Sequence, residues 1–174
     1  IYPEYSEAQL KAFDSHGEAE VYRACRDQLP DKYLVFHSLT WIGKRKGRPS
    51  DYEADLVIFD PDSGALVVEV KGGSSIRCDP RAGSWYSSNR KGEYKIKDPF
   101  RQALDNKYGL REHVRDSGEW QARAKGRRLA DGHAAFFPDL PDVAPLSGAD
   151  SPGAITGGAK DLKDMRAWVR KTMD

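Results

Sequence analysis

The stretch that decides the fold is ADLVIFDPDSGALVVEVK, residues 54–71. Its two halves are apolar, rich in β-branched residues and of strand length. Between them, residues 60–64 combine aspartate, proline, serine and glycine, the residue types typical of tight turns. The stretch predicts an antiparallel hairpin with strands over 54–59 and 65–71. Because both faces of each strand are apolar, we expect a central position in a sheet that is covered on both sides.

The register of this hairpin brings two carboxylates together. A loop over 60–64 pairs Phe59 with Ala65, and the same register sets Asp55 opposite Glu69. Opposed side chains lie about 4.5–5.5 Å apart at Cβ, where like charges repel, so a cation is expected between them. Lys71 shares their face, about 6.6 Å further along the strand. The alternative is that these residues lie at a solvent-exposed, frayed end of the hairpin and show ordinary polar alternation. A one-residue shift of register or a β-bulge would separate the pair.

The type of cation follows from the ligand atoms. A sheltered carboxylate pair without a metal ion or a proton would carry a desolvation penalty of several kcal/mol. Carboxylate oxygens favour Mg²⁺ or Mn²⁺, which take water and substrate phosphate as their other ligands. The hairpin therefore predicts metal-dependent phosphate chemistry.

The chain before the hairpin predicts a helix and a strand. Between Glu4 and Leu29, apolar residues recur at helical spacing, and Pro30 ends the run. Residues 33–42 are β-branched and aromatic, which favours a strand. Residues 43–49, GKRKGRP, predict a basic loop.

The chain after the hairpin predicts short strands and then a helix. Strand-like pieces over 75–78, 85–87 and 94–97 extend or decorate the sheet. Asp98 is suited to cap a helix with Pro99 at its first position. The predicted buried stripe of that helix is Phe100, Leu104, Tyr108 and Val114.

The last third of the chain completes the order of elements. Residues 133–137 predict a buried strand, and residues 138–158 are rich in proline and glycine. A final helix has an apolar side formed by Leu162, Met165, Trp168 and Val169. The core order α-β-β-β-α-β predicts an α/β fold with a mixed sheet flanked by helices.

Composition sets the class of protein. We expect one domain over 1–174, and the first residue, Ile1, predicts a processed chain or a domain excised from a longer one. Lys and Arg number 28 against 27 Asp and Glu, so net charge gives no argument for a polyanionic partner. The two cysteines lack disulfide or zinc spacing, which favours a cytoplasmic setting. No apolar run approaches the length of about 18 residues that spans a membrane.

Four segments in chain order resemble the nuclease-related domain (NERD) family: HGEAEVY (16–22), EADLVIF (53–59), VEVKGG (68–73) and DPFRQA (98–103). The resemblance runs from about Phe13 to Tyr108. That family belongs to the PD-(D/E)XK nuclease superfamily, whose restriction-endonuclease-like fold agrees with the predicted order of elements. Ala54 stands where the superfamily has proline before the metal-binding aspartate, a change that such families tolerate.

The resemblance implies a nuclease that cuts DNA with Mg²⁺ or Mn²⁺, in DNA processing or repair. Asp55 and Glu69 would be metal ligands, with the carbonyl of Val70 as a third. Lys71 would position the attacking water and stabilise charge on the phosphorane. Gln102 would orient water or phosphate.

The first-helix glutamate of the family matches Glu18, which would complete the metal shell directly or through water. Glu20 is the rival for this role. Glu18 is preferred because the apolar residues Val21, Tyr22 and Cys25 follow it at three, four and seven residues, which puts it beside the buried stripe of the helix.

Basic residues near the hairpin predict contacts with the substrate. The candidates are Lys44, Arg45, Lys46, Arg48, Arg90 and Lys91, with further positive charge up to Lys97 and from Arg123 to Arg128. The alternative is that these charges only provide solubility. DNA is the expected substrate, RNA stays open, and the resemblance implies a fused or cooperating helicase.

A second class of function stays open. A nuclease-like fold that has lost catalysis would only bind nucleic acid or a protein partner. The intact set of Asp55, Glu69 and Lys71 favours the enzyme, because a binding module has no need for opposed carboxylates.

Overall fold

The computed structural model describes residues 1–45, 47–148 and 152–174, except for the side chain of Arg45. Two of the predicted nucleic-acid contacts, Lys46 and the Arg45 side chain, therefore lie outside the described residues.

Within the described residues, two helices precede six successive strands, and two further helices, two strands and a last helix follow. The helices are α1 (Glu7–Lys11), α2 (His16–Gln28), α3 (Pro99–Asp116), α4 (Gly118–Ala124) and α5 (Met165–Met173). The strands are β1 (Leu34–Arg45), β2 (Arg48–Asp60), β3 (Gly64–Val70), β4 (Ser75–Asp79), β5 (Ser84–Asn89), β6 (Gly92–Ile96), β7 (Asp131–Phe137) and β8 (Thr156–Gly158). Short 3₁₀ segments cover Ala144–Leu146, Gly153–Ile155 and Asp161–Asp164.

The main sheet is mixed and has five strands in the order β1-β2-β3-β7-β8. Pairing is antiparallel from β1 to β3 and parallel from β3 to β8. The predicted α/β fold, a mixed sheet flanked by helices, is confirmed. The short strands β4, β5 and β6 do not extend this sheet but form an antiparallel sheet of their own.

The predicted register of the β2–β3 hairpin is confirmed from Phe59↔Ala65 to Leu56↔Val68. The loop is shorter than predicted, because Asp60 already pairs with Gly64. Glycine is required at this turn, since Gly64 has φ 105° and an added Cβ would lie 2.1 Å from the carbonyl oxygen of Ala130. The turn thus anchors β3 against the chain entering β7.

Helices cover both faces of the hairpin, as its apolar strands predict. On one face, α2 and α5 pack against Leu56 and Ile58 through Val21 and Trp168. On the other face, α3 packs against Val57 and its neighbours through Leu110. The end of the hairpin opposite its turn is left accessible between the first turns of α2 and α3.

Two N-terminal predictions are wrong in detail. The helical opening is two helices, because α1 ends at Lys11 and Ser15 starts α2 by accepting a hydrogen bond from the N–H of Glu18 at 3.2 Å. The basic loop over 43–49 is mostly strand, with Lys44 paired to Pro49. Gly47 has a positive φ of 76°, and the two strands stay paired as far as Arg45 and Arg48.

Helix α3 begins as predicted, with the Asp98 side chain accepting from the N–H of Arg101 at 3.0 Å and Pro99 in the first turn. Its buried stripe is partly wrong, because Tyr108 is 48% exposed. Gly109 faces the sheet instead, and an added Cβ there would lie 2.5 Å from the Tyr52 ring. This close approach rotates the helix away from the predicted face. Neither α4 nor β8 was predicted.

Candidate active site

The main sheet opens at Asp55. The β2–β3 ladder ends at Leu56↔Val68, one residue before Asp55. On the other side, β1 pairs His37 with Leu56 and Leu39 with Ala54, while Ser38 between them has φ 48° and stays unpaired. The Asp55 backbone is therefore outside the ladder on both sides, which frees its surroundings for side-chain contacts.

Strand β2 also changes faces at this level. In β2, Val57 and Ala54 pack in the same cluster beneath α3. They are three residues apart, a separation that would put them on opposite faces of a regular strand. The change of face between them lies at Asp55. It leaves the preceding residues of β2, including Tyr52, facing α3, with a concave surface around Asp55.

This surface is a cleft of about 690 Å³. All five predicted catalytic side chains line it: Glu18, Asp55, Glu69, Lys71 and Gln102. They come from α2, β2, the end of β3 and α3. Residues that are far apart in the chain therefore meet in one place, as the sequence predicts.

The carboxylates of Asp55 and Glu69 are each held by one hydrogen bond. Asp55 Oδ2 accepts from the backbone N–H of Val70 at 2.7 Å. The ammonium group of Lys71 donates to Glu69 Oε1 at 2.5 Å. Among the described residues, Asp55 Oδ1 and Glu69 Oε2 take part in no hydrogen bond. One oxygen of each carboxylate is left for another ligand.

Burial and mutual repulsion make this pair unfavourable as two anions. Burial, opposed by Lys71, raises the pKa of Asp55 above its usual value. Burial, and then the charge of Asp55, raise the pKa of Glu69 to about 7. At neutral pH the pair therefore favours binding a proton or a cation.

Glu18 reaches the same cleft from the first turn of α2, and Glu20 does not line it. Glu20 instead forms an ion pair with Arg23 at 3.2 Å. The pKa of Glu18 is lowered, chiefly by the imidazole of His37, whose Nε2 lies 3.6 Å from Glu18 Oε2. His37 was not predicted as part of the site, because a single histidine in a strand gives no spacing signal.

Gln102 lines the cleft from the first turn of α3. Its Oε1 is buried and has no hydrogen-bond partner among the described residues. A buried amide oxygen without a donor is unfavourable by about 1–3 kcal/mol. Water or a substrate hydrogen-bond donor in the cleft would satisfy it.

The donor set suits a magnesium-type site with few protein ligands. Among the described residues, no group of three or more His, Cys, Asp or Glu side chains could hold a metal ion. Mg²⁺ is commonly held by one or two carboxylates, with water and phosphate completing the shell. The carbonyl of Val70 points to the same side of β3 as its N–H, towards Asp55, because both groups of one strand residue share a side. Two free carboxylate oxygens and this carbonyl fit such an ion.

The predicted nucleic-acid contacts are only partly at the cleft. Lys44 lines a neighbouring groove that shares Tyr52 and Arg101 with it. Arg48, Arg90 and Lys91 are exposed and do not line the cleft. Two cations are at its rim, Lys97 and Arg101. Of these, Arg101 was not among the predicted contacts.

The basic segment around Arg123 lies elsewhere. Arg123, Arg127 and Arg128 line a separate cleft of about 500 Å³ beside the β2–β3 turn. This turn is at the opposite end of β3 from Glu69, roughly 17 Å along the strand at 3.3 Å per residue. The segment therefore does not contact the site as expected.

Comparison with known proteins gives one match. The model of the nuclease-related domain family, NERD, matches residues 14–133. No curated protein and no solved structure matches the chain. Within the described residues, no helix has the length and apolarity needed to cross a membrane.

Proposed function

Because the chain belongs to the nuclease-related domain family, we propose that it is a nuclease that hydrolyses DNA phosphodiester bonds with Mg²⁺ or Mn²⁺, in DNA processing or repair. One observation carries this proposal: Asp55, Glu69 and Lys71 line one cleft, and each of the two carboxylates has an oxygen without a hydrogen bond. The family match supports a nuclease-related function, and the chemistry of the cleft supports metal dependence.

In the proposed reaction, a bound divalent cation would activate water and neutralise charge on the scissile phosphate. Asp55, Glu69 and the Val70 carbonyl would bind it, and Glu18 would join them directly or through water. Lys71 would orient the attacking water and stabilise negative charge as it develops on the phosphate. The side chain of Gln102 would accept a hydrogen bond from water in the cleft.

Substrate binding would use the cations at the rim. Lys97 and Arg101 line the cleft and would contact the phosphates that flank the scissile bond. Lys44 would extend this contact along the neighbouring groove. Acidic residues such as Asp105 also line both surfaces, so the local charge is mixed and contact is confined to particular phosphates.

The decisive test separates metal binding from catalysis. In Lys71→Ala, we expect cleavage of labelled DNA with Mn²⁺ to fall by at least about 10²–10³-fold, as for the loss of one electrostatic catalyst. Calorimetry should show that Mn²⁺ binding is nearly retained in this variant and lost in Asp55→Ala. Lys32→Ala, which removes the lysine at the far turn, is the matched control and should cleave normally. Wild-type turnover in Lys71→Ala would remove Lys71 from the mechanism.

The substrate is tested in the same assay. Plasmid, linear, branched and single-stranded DNA and RNA are each incubated with Mn²⁺ and with EDTA. We expect cleavage of DNA that EDTA abolishes. Cleavage that persists in EDTA would contradict metal dependence.

A binding module without catalysis is the second candidate. It is favoured by the contact between Lys71 and Glu69, which occupies one carboxylate oxygen at 2.5 Å. In that case, calorimetry would show no Mn²⁺ binding by the wild-type protein, while binding of uncut DNA would persist.

A further inference from the structure

His37 is a buried polar residue among aromatic rings. It is 6% exposed and lies in β1, next to Ser38 where the ladder opens. The rings of Tyr5, Phe13 and Tyr22 surround it, with centroids 5.7, 5.1 and 5.7 Å from the imidazole. An apolar ring would fill the same space, so packing alone does not account for a histidine.

The two ring nitrogens of His37 have no hydrogen-bond partner among the described residues. The nearby Tyr22 hydroxyl is already engaged, because it donates to the carbonyl of Pro3 at 2.9 Å and accepts from the N–H of Tyr5 at 3.1 Å. A buried polar atom without a partner is unfavourable by about 1–3 kcal/mol. A residue retained at this cost needs a function that the aromatic cluster does not supply.

Among the described residues, the carboxylate of Glu18 faces the imidazole. Nε2 of His37 lies 3.6 Å from Glu18 Oε2, just beyond hydrogen-bond length. The Glu18 side chain is 27% exposed and reaches from the aromatic cluster into the cleft that holds Asp55. A small rotation of Glu18 would close the gap and give the imidazole its missing partner.

Glu18 needs such support. Its carboxylate lines the same cleft as those of Asp55 and Glu69, so three like charges lie around one space and repel one another. The imidazole approaches Glu18 Oε2 from within the aromatic cluster. A hydrogen bond on one carboxylate oxygen would fix the side chain and leave the other oxygen directed at the cleft.

We propose that His37 is a positioning residue for Glu18, whose Oε2 accepts a hydrogen bond from His37 Nε2 while Oε1 serves the divalent cation or its water. This inference rests on the proposed function, since it assumes that the cleft binds a cation. Partners that orient a metal ligand typically change metal affinity by about 10–100-fold when they are removed. The donor on Nε2, rather than the ring, is the essential group.

Two variants separate the donor from the ring. His37→Phe keeps a ring of similar size and removes the donor, whereas His37→Gln keeps an amide N–H near the position of Nε2. Calorimetry with Mn²⁺ alone, without DNA, measures affinity, and thermal unfolding checks the fold. We expect about 10–100-fold weaker Mn²⁺ binding in His37→Phe and affinity close to wild type in His37→Gln. Tyr22→Phe changes the same cluster without touching Glu18, and should bind Mn²⁺ normally.

A double-mutant comparison localises the effect. If His37 acts through Glu18, adding His37→Phe to Glu18→Gln should weaken Mn²⁺ binding no further than Glu18→Gln alone. Additive losses would overturn the proposal, as would wild-type affinity in His37→Phe. If His37→Phe does not fold, a folded His37→Gln that has lost affinity overturns it equally. Absence of Mn²⁺ binding by the wild-type protein is a different result, because it overturns the proposed function itself.

Discussion

The two ends of the β2–β3 hairpin hold buried carboxylates whose pKa values are shifted in opposite directions. At the turn, Asp60 is 5% exposed, and burial alone would raise its pKa. The N–H of Asp62 and the ammonium of Lys32, at 3.1 and 3.0 Å, outweigh burial and lower that pKa. At the open end, burial prevails and the pKa values of Asp55 and Glu69 are raised.

The difference lies in the hydrogen-bond donors. The carboxylate of Asp60 accepts from a backbone N–H, a lysine and the Ser63 hydroxyl, so its charge is satisfied within the protein. Asp55 and Glu69 accept one hydrogen bond each among the described residues. A buried carboxylate with enough donors stabilises the fold, whereas a pair with too few favours binding a proton or a cation from solution.

The dependence of stability on pH gives the largest expected contrast. Glu69 has a pKa of about 7 in the folded protein against 4.5 for the free side chain, so the folded state binds the proton more tightly. The stabilisation that the protonated Glu69 side chain gives the folded protein is complete below about pH 4.5. It is lost as pH rises to about 7, which lowers the free energy of unfolding by a few kcal/mol. Urea unfolding between pH 4.5 and 8, without metal, measures this decline.

Urea unfolding over the same pH range with Mn²⁺ tests whether a cation can take the place of the proton. A cation that binds only the folded protein should remove most of the decline, because it replaces the proton at neutral pH. Glu69→Gln is the control variant and should show a flatter profile. A free energy of unfolding that rises steadily over this range in the wild-type protein would contradict the raised pKa. Asp60 acts in the other direction, since its lowered pKa makes stability fall at more acidic pH.

Removing the charge of Asp60 and that of Asp55 should change the free energy of unfolding in different directions. Asp60→Ala leaves the Asp62 N–H and Lys32 without their acceptor, and we expect a loss of about 1–3 kcal/mol in the free energy of unfolding. Asp55→Asn removes a charge that burial disfavours, so the metal-free protein should be as stable as wild type or more stable. Urea unfolding at pH 7.5 in EDTA measures both. Equal destabilisation by the two substitutions would remove the distinction between the two ends.

The smallest contrast concerns DNA binding at the two ends. Arg101→Ala at the active-site cleft should weaken binding of uncut DNA severalfold and reduce the salt dependence by about one counterion. Arg123→Ala, in the cleft beside the turn, should leave both unchanged. Fluorescence anisotropy with Ca²⁺ in place of Mn²⁺ measures binding over a series of salt concentrations. A larger effect from Arg123 would shift the substrate path to the turn end.

The hairpin was predictable because two local signals agree. The turn residues and the apolar pattern set one register, which is confirmed as far as Leu56↔Val68. Asp55 and Glu69, which this register would set opposite each other, lie just beyond the ladder and line one cleft. The family motifs added Glu18 and Gln102, which line the same cleft although no local pattern connects them to the hairpin.

What could not be predicted depends on contacts between distant segments. The positive φ of Ser38, the burial of His37 and the position of Arg101 at the rim arise only when β1, α2 and α3 come together. The exposure of Tyr108 has the same origin, because the fit of Gly109 against Tyr52 decides which face of α3 is buried. Sequence periodicity contains none of this information.

The chain segment that forms the three-stranded sheet β4-β5-β6 begins and ends at the candidate active site. The chain leaves the cleft at Lys71 and returns to it at Lys97, and the residues between fold into this sheet. Its inner side is fixed to the core, where Trp85 packs near Phe100, and Ser87 donates to the carbonyl of Gly72 at 2.9 Å. The sheet thus closes a loop of chain that starts and ends at the cleft, so a displacement of its inner side would move the segments that carry Lys71 and Lys97.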